Sequence, residues 1–77
     1  GNIYITIIEC LGKSKWGRKY WYIWKYVENE FRKLRIKKSR LRGILKKLRN
    51  LSLIEFSERR YFLTNKGKEV YERLFSV

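Results

Sequence analysis

Apolar residues along the chain recur with two different periods, and the change of period divides it into elements. From Ile3 to Leu11, the side chains of Tyr4, Ile7, Ile8 and Leu11 fall at helical spacing and Gly12 stands where a helix stops. A helix over 3–11 is expected, with a strand as the alternative because the segment is rich in β-branched residues. A polar, glycine-broken connection runs from Lys13 to Lys19. Next, Tyr20, Trp21, Trp24, Val27 and Phe31 share one stripe, with Lys25 and Glu28 to Glu30 opposite, predicting an amphipathic helix over 20–31. Arg32 to Lys38 reads as a basic turn whose two apolar residues, Leu34 and Ile36, tuck inward. Ser39 is the expected cap of a third helix over 39–51, in which Leu41, Ile44, Leu45, Leu48 and Leu51 form the buried face.

From Leu53 the period becomes two. Ile54 and Phe56 alternate with Glu55 and Ser57, then Tyr61 and Leu63 with Arg60 and Phe62, predicting antiparallel strands over 53–57 and 60–64. Their junction, Ser57 to Arg60, contains neither Gly nor Asn, so a four-residue loop is expected rather than a tight primed turn. Thr64 can cap a last helix over 65–75 that returns Val70, Tyr71 and Leu74 to the core. The expected architecture is α+β, mainly α: one domain spanning residues 1–77, with a three-helix core, a two-stranded hairpin and a C-terminal helix.

That order of elements carries a resemblance. The stretch Tyr22-Ile23-Trp24-Lys25-Tyr26-Val27 is followed by Ser39-Arg40-Leu41-Arg42-Gly43-Ile44-Leu45-Lys46-Lys47-Leu48, then Leu53-Ile54, then Arg60-Tyr61-Phe62-Leu63-Thr64-Asn65-Lys66-Gly67-Lys68-Glu69. Together they resemble winged helix-turn-helix regulators of the PadR and MarR type, and the small winged-helix regulators of archaeal viruses and plasmids. The resemblance covers roughly Tyr20 to Leu74, and its most specific piece is Leu63 to Lys68 at the close of the hairpin. It implies that the third helix enters a DNA major groove while the hairpin, as the wing, touches the flanking backbone or minor groove. Three departures stand out: Ser52 replaces the glycine usual after the third helix, where the family implies a left-handed residue, the wing is short, and the long C-terminal dimerisation helix of PadR-type proteins is not matched.

Charge sharpens this picture. The 77 residues hold 20 Lys and Arg against 7 Glu, a net charge of +13, which calls for an acidic partner. Half of the cations lie between Arg32 and Asn50, where no acid occurs. With the leucine face turned inward, Ser39, Gly43, Lys46 and Asn50 point outward, flanked by Arg40, Arg42 and Lys47. Ser39, Arg40, Arg42, Gly43 and Lys46 are the expected base contacts, since residues early in a recognition helix lie nearest the base edges and arginine matches guanine. Lys37, Lys38, Lys47, Arg49 and Asn50 are the expected phosphate contacts, and Ser57, Arg59 and Arg60 those of the wing, with Glu58 weakening the field there. The expected partner is duplex DNA, bound as a homodimer through Tyr4, Tyr71 and Phe75 to half-sites about 34 Å apart. A protein-interaction or structure-selective nucleic-acid-binding module of a larger replication or transcription assembly is the alternative.

Other chemistries lack their residue types. There is no His or Asp, the Glu residues are scattered, and Cys10 is the one cysteine, so neither a metal site, a cofactor, an internal disulfide nor catalysis is expected. No apolar run reaches the length of a membrane span, and no cationic segment precedes Asn2 to Leu11 to make it a secretion signal; a soluble cytoplasmic protein without a small-molecule ligand is the expectation. The aromatic cluster Tyr20, Trp21, Tyr22, Trp24 and Tyr26 could stack bases of a single strand. It is assigned to the core instead because Trp21 and Trp24 follow the helical stripe, with Tyr22 and Tyr26 off it and facing a partner subunit. Cys10 is expected to be a small buried apolar residue.

Overall fold

Burial decides the conformation of the first segment. In the computed structural model, which describes residues 2–76, Ile3, Ile7, Ile8, Cys10 and Leu11 all lose their contact with water, a spacing that only a helix brings to one face. Helix α1 (Ile3–Gly12) begins at Asn2, whose side-chain oxygen accepts from the Tyr4 N–H at 2.8 Å. The strand alternative is thereby excluded. Gly12, expected just past the helix, is its last residue, and the Tyr71 ring occupies the space a side chain there would need.

Helix α2 (Tyr20–Glu30) buries Ile23 and Val27 fully, with Tyr20 and Trp24 half-buried beside them. Trp21, expected on the core stripe, is 62% exposed. Two residues along a helix turn it by about 200°, so Ile23 and Trp21 cannot face the same way, and the branched residue takes the interior. Tyr26 is half-buried, and its hydroxyl donates to Glu9 Oε1 at 2.9 Å, joining α2 to α1. Phe31 lies one residue beyond the helix and packs against the core from there.

A 3-10 turn, Arg32–Leu34, follows. Leu34 was expected inward but is 66% exposed, whereas Ile36 packs on the core. Arg35 between them adopts a left-handed φ of 46°, which reverses the chain and separates the two side chains. Helix α3 (Lys38–Asn50) starts one residue before Ser39; its cap is Lys37, without a side-chain bond, and Ser39 sits inside the first turn. Leu41, Ile44, Leu45 and Leu48 are buried as expected. Leu51 is exposed because the helix has ended there: Ser52 turns left-handed at φ 61°, the Leu53 N–H donates to the Leu48 carbonyl at 3.0 Å and the Ser52 N–H to Arg49 at 2.9 Å. Those two bonds satisfy the last carbonyls and redirect the chain into the hairpin.

Strands β1 (Ile54–Ser57) and β2 (Arg60–Leu63) pair antiparallel, Ile54 opposite Leu63, Phe56 opposite Tyr61 and Ser57 opposite Arg60. The last pair leaves only Glu58 and Arg59 in the turn, not a four-residue loop. Both have positive φ, 49° and 65°, the signature of a primed turn made without its usual residues. Cross-strand packing outweighs turn propensity here: Ile54 and Leu63 are both buried, and the Phe56 and Tyr61 rings lie 4.7 Å apart. The connection before α2 also joins the sheet, since Arg18 and Tyr61 exchange two backbone hydrogen bonds of 2.9 and 2.8 Å along the outer edge of β2. That third edge contact had no sequence signal of its own.

Helix α4 (Asn65–Phe75) is capped by Thr64, whose hydroxyl accepts from the Gly67 N–H at 3.0 Å while donating to the Ser52 carbonyl. Gly67 is buried so tightly that a Cβ would meet the Leu53 carbonyl oxygen, which ties α4 to the hairpin base. Of the three residues expected to return to the core, Tyr71 packs against it, Val70 is only partly buried, and Leu74 is exposed near the helix end. Helix α1 is the hub: it packs against α2, α4 and β2, while α3 packs against β1. Among the described residues no helix is long and apolar enough to cross a membrane.

Ser52, Glu58 and Arg59 carry backbone strain that glycine or asparagine would relieve. Ser52→Gly should raise stability by about 1 kcal/mol, and Glu58→Asn with Arg59→Gly by about 1–2 kcal/mol, because left-handed backbone disfavours most side chains by amounts of this order. Chemical denaturation checks both; a lower midpoint in either variant would contradict the assigned backbone.

Candidate nucleic-acid interface

With Leu41, Ile44, Leu45 and Leu48 inside, the remaining nine positions of α3 are exposed, and six of them are Lys or Arg. Successive residues turn by about 100°, so Ser39, Gly43, Lys46 and Asn50 lie along its outward midline. Space around Gly43 is open, with no atom near the position a Cβ would take. Arg40 and Lys47 form one flank. Arg40 borders a recess with Ile3, Leu34, Arg35, Ile36 and Lys37, and the Lys47 ammonium lies 5.6 Å from the Tyr4 ring centre. Lys38, Arg42 and Arg49 form the other flank, toward α2 and the hairpin. Arg40 and Arg42 thus stand about 160° apart around the axis, on opposite shoulders of the surface.

Aromatic rings hold many of these cations in place. Lys38 rests 5.7 Å over Trp24, Arg42 5.2 Å over Tyr20 and Arg49 5.8 Å over Phe56. Each such contact at an exposed site is worth roughly 0.5–1 kcal/mol, and it narrows the choice of rotamers available to a long side chain. The half-buried aromatics assigned simply to the core therefore also serve as rests for the cations beside them. The sequence held the rings and the cations, but pairing Phe56 with Arg49 or Tyr4 with Lys47 depends on how the elements pack.

No ion pair among the described residues neutralises a cation of this surface, although Glu55 on β1 borders a recess with Lys46 and Arg49. Among the described residues the one salt bridge joins Lys25 and Glu28 at 3.6 Å, on α2, so none of the ten cations between Arg32 and Asn50 has a carboxylate partner. The first turn of α3 adds to this, for Lys37, Lys38 and Arg40 gather at the positive end of the helix dipole with no acid in the turn. Like charge at that end is unfavourable by about 0.3–1 kcal/mol per group, and an anion docked there would relieve it. At the hairpin tip Ser57 and Arg59 are exposed and Arg60 partly so, with Glu58 between them.

No group of three or more His, Cys, Asp or Glu side chains comes together among the described residues. Burial pushes the Cys10 thiol up to about 11, against the opposing pull of Arg18. Burial, with the Glu9 carboxylate beside it, also raises the Tyr26 phenol. The exposed residue that sequence reasoning missed is Trp16, 73% exposed between α1 and α2. Comparison with protein-family models, curated proteins and solved structures finds no match to this chain.

The state of Cys10 is directly measurable. A thiol reagent at pH 8 should modify it far more slowly in native buffer than in denaturant, because the thiol is both buried and held protonated. Equal rates in the two conditions would show that the α1 core is open.

Proposed function

We propose that the chain is a winged helix-turn-helix protein that binds duplex DNA with sequence preference, acts as a transcriptional regulator and has no catalytic role. The observation that carries this reading is the cationic surface of α3 and the segment leading into it, ten Lys and Arg from Arg32 to Asn50, six of them on the helix, with no ion pair among the described residues. A solvated helix face of ordinary function intersperses acids, which both relieve repulsion and favour solubility. Here repulsion is left standing, as it is where the field attracts a polyanion.

In this reading α3 lies in the major groove, which admits one helix. Ser39, Gly43 and Lys46 face the groove floor, and open space at Gly43 lets the backbone approach closely. Arg42, steadied by Tyr20, reaches base edges from one shoulder, and Arg40 reaches them from the other. Lys37, Lys38, Lys47, Arg49 and Asn50 meet phosphates on either side, while the hairpin acts as the wing through Ser57, Arg59 and Arg60.

Titration of duplex DNA at several salt concentrations tests the premise. With about six phosphate contacts, log affinity should fall with log salt at a slope near −5. A flat response would remove the electrostatic basis of the proposal. On a selected site, Arg42→Ala should lower discrimination between bases by about 1–3 kcal/mol, whereas Lys47→Ala should weaken all sequences alike and reduce the slope by about 1. Identical effects of the two substitutions would argue against direct base reading.

A further inference from the structure

Duplex binding by α3 leaves unexplained why the largest exposed indole of the described chain sits on a rigid mount. The α1–α2 connection is short and tied down at both ends. Its first residues continue from the helix end, with the Ser14 N–H donating to Leu11 at 3.1 Å, and the Ser14 hydroxyl then donates across the turn to the Gly17 carbonyl at 2.9 Å. Gly17 takes φ +76°, and a Cβ there would come within 2.6 Å of the Phe62 ring, so glycine is required for both conformation and contact. Arg18 is then fixed to β2 by its two backbone bonds with Tyr61, and its guanidinium lies 4.1 Å over the Tyr22 ring. Trp16 stands at the crest of this loop.

Its neighbours are cations. Lys13, Lys15, Arg18 and Lys19 flank it in sequence, and the Lys15 ammonium lies 5.6 Å from its ring centre. Trp16 and Arg18 also border one recess with Glu58, Arg60 and Phe62, which places the indole beside the hairpin tip. Folding favours burying an indole, and nothing in the loop's own bonding requires one at this position. An exposed indole with one ammonium near its ring, beside a recess bordered by Lys13, Arg18 and Arg60, fits a ligand that offers flat π-faces together with phosphates, which is the chemistry of an unpaired nucleotide. Bases inside a duplex have both faces occupied by their neighbours, and inserting a ring between them carries an unstacking penalty that an unpaired base does not impose.

We propose that Trp16 stacks on an unpaired base beside the bound duplex, so that the chain prefers a duplex continuing into a single strand over a blunt one. This rests on the duplex-binding reading above, because it is the wing tip that brings the loop to the edge of the footprint. It assigns the loop between α1 and α2 a ligand of its own and makes the protein selective for nucleic-acid structure as well as for sequence.

Anisotropy titrations with three labelled ligands test the proposal: a blunt duplex, the same duplex with a single-stranded tail of about ten nucleotides on either strand, and that tail made of abasic sugar-phosphate units with equal charge but no bases. Wild-type protein should bind the base-bearing tail about tenfold tighter than the abasic one, at low and high salt alike. Trp16→Ala should abolish that difference while leaving blunt-duplex binding and the far-UV spectrum unchanged, and Trp16→Phe should keep most of it. The same preference in Trp16→Ala as in wild type would overturn the proposal, as would an equal loss on all three ligands, which would mark Trp16 as a duplex wedge or a structural residue. A Trp16-dependent preference for the base-bearing tail without any binding of blunt duplex would support the stacking site and overturn the duplex reading; no binding of any ligand would overturn both.

Discussion

Burial of the apolar stripe of α3 is the constraint on which the rest depends. Leu41, Leu45 and Leu48 are almost fully removed from water and Ile44 nearly so, each worth roughly 1.5–3 kcal/mol in transfer free energy. Ile7, Ile8 and Leu11 of α1 and Ile23 and Val27 of α2 are buried as fully and complete the core against which that stripe packs. Because a helix has only one inward stripe, fixing those four residues fixes the orientation of every cation between them. The charge that should repel itself is held on one surface because the leucines leave it nowhere else to go.

Around that stripe the aromatics act as intermediaries between core and surface. Tyr4, Tyr20 and Trp24 each touch the core with one part of the ring and a cation with another, and Phe56 supports Arg49 from the hairpin. This doubles their contribution: they extend a small core outward, and they reduce the freedom of long side chains that would otherwise have to be ordered by a ligand. The same logic operates at the far side of the hairpin, where Arg18 lies over Tyr22 and Gly17 admits Phe62. Rigid mounts on both sides of the hairpin leave Trp16 and the α3 cations as presented groups rather than mobile ones.

Strain is concentrated where the chain changes direction. Arg35, Ser52, Glu58 and Arg59 all adopt positive φ without being glycine. Arg35 and Ser52 flank α3, and Glu58 and Arg59 form the turn of the hairpin that follows it. Each is held by bonds or packing formed elsewhere: Ser52 by the carbonyls closing α3, and Glu58 and Arg59 by the pairing of β1 with β2. A local preference of about 1 kcal/mol yields to such contacts when several act together.

How much was legible in the sequence follows from which forces are local. The order of elements, four of the five expected buried residues of α3 and the Thr64 cap could be read directly, since period and capping depend on residues a few positions apart. The outward cations of α3 were legible for the same reason. Trp21 was misplaced because a stripe of large aromatics looks like a core, while the tertiary contacts of α2 admit Ile23 and Val27 instead. The two-residue turn was missed because strand register, not turn chemistry, set its length. Likewise the Arg18 bridge, the rings beneath the cations and the exposure of Trp16 depend on residues far apart in the chain. Sequence alone determined which residues are apolar, charged or capping at short range; only tertiary packing decided which of several apolar faces is buried and which rings and cations meet, because those outcomes compare contacts made by different elements.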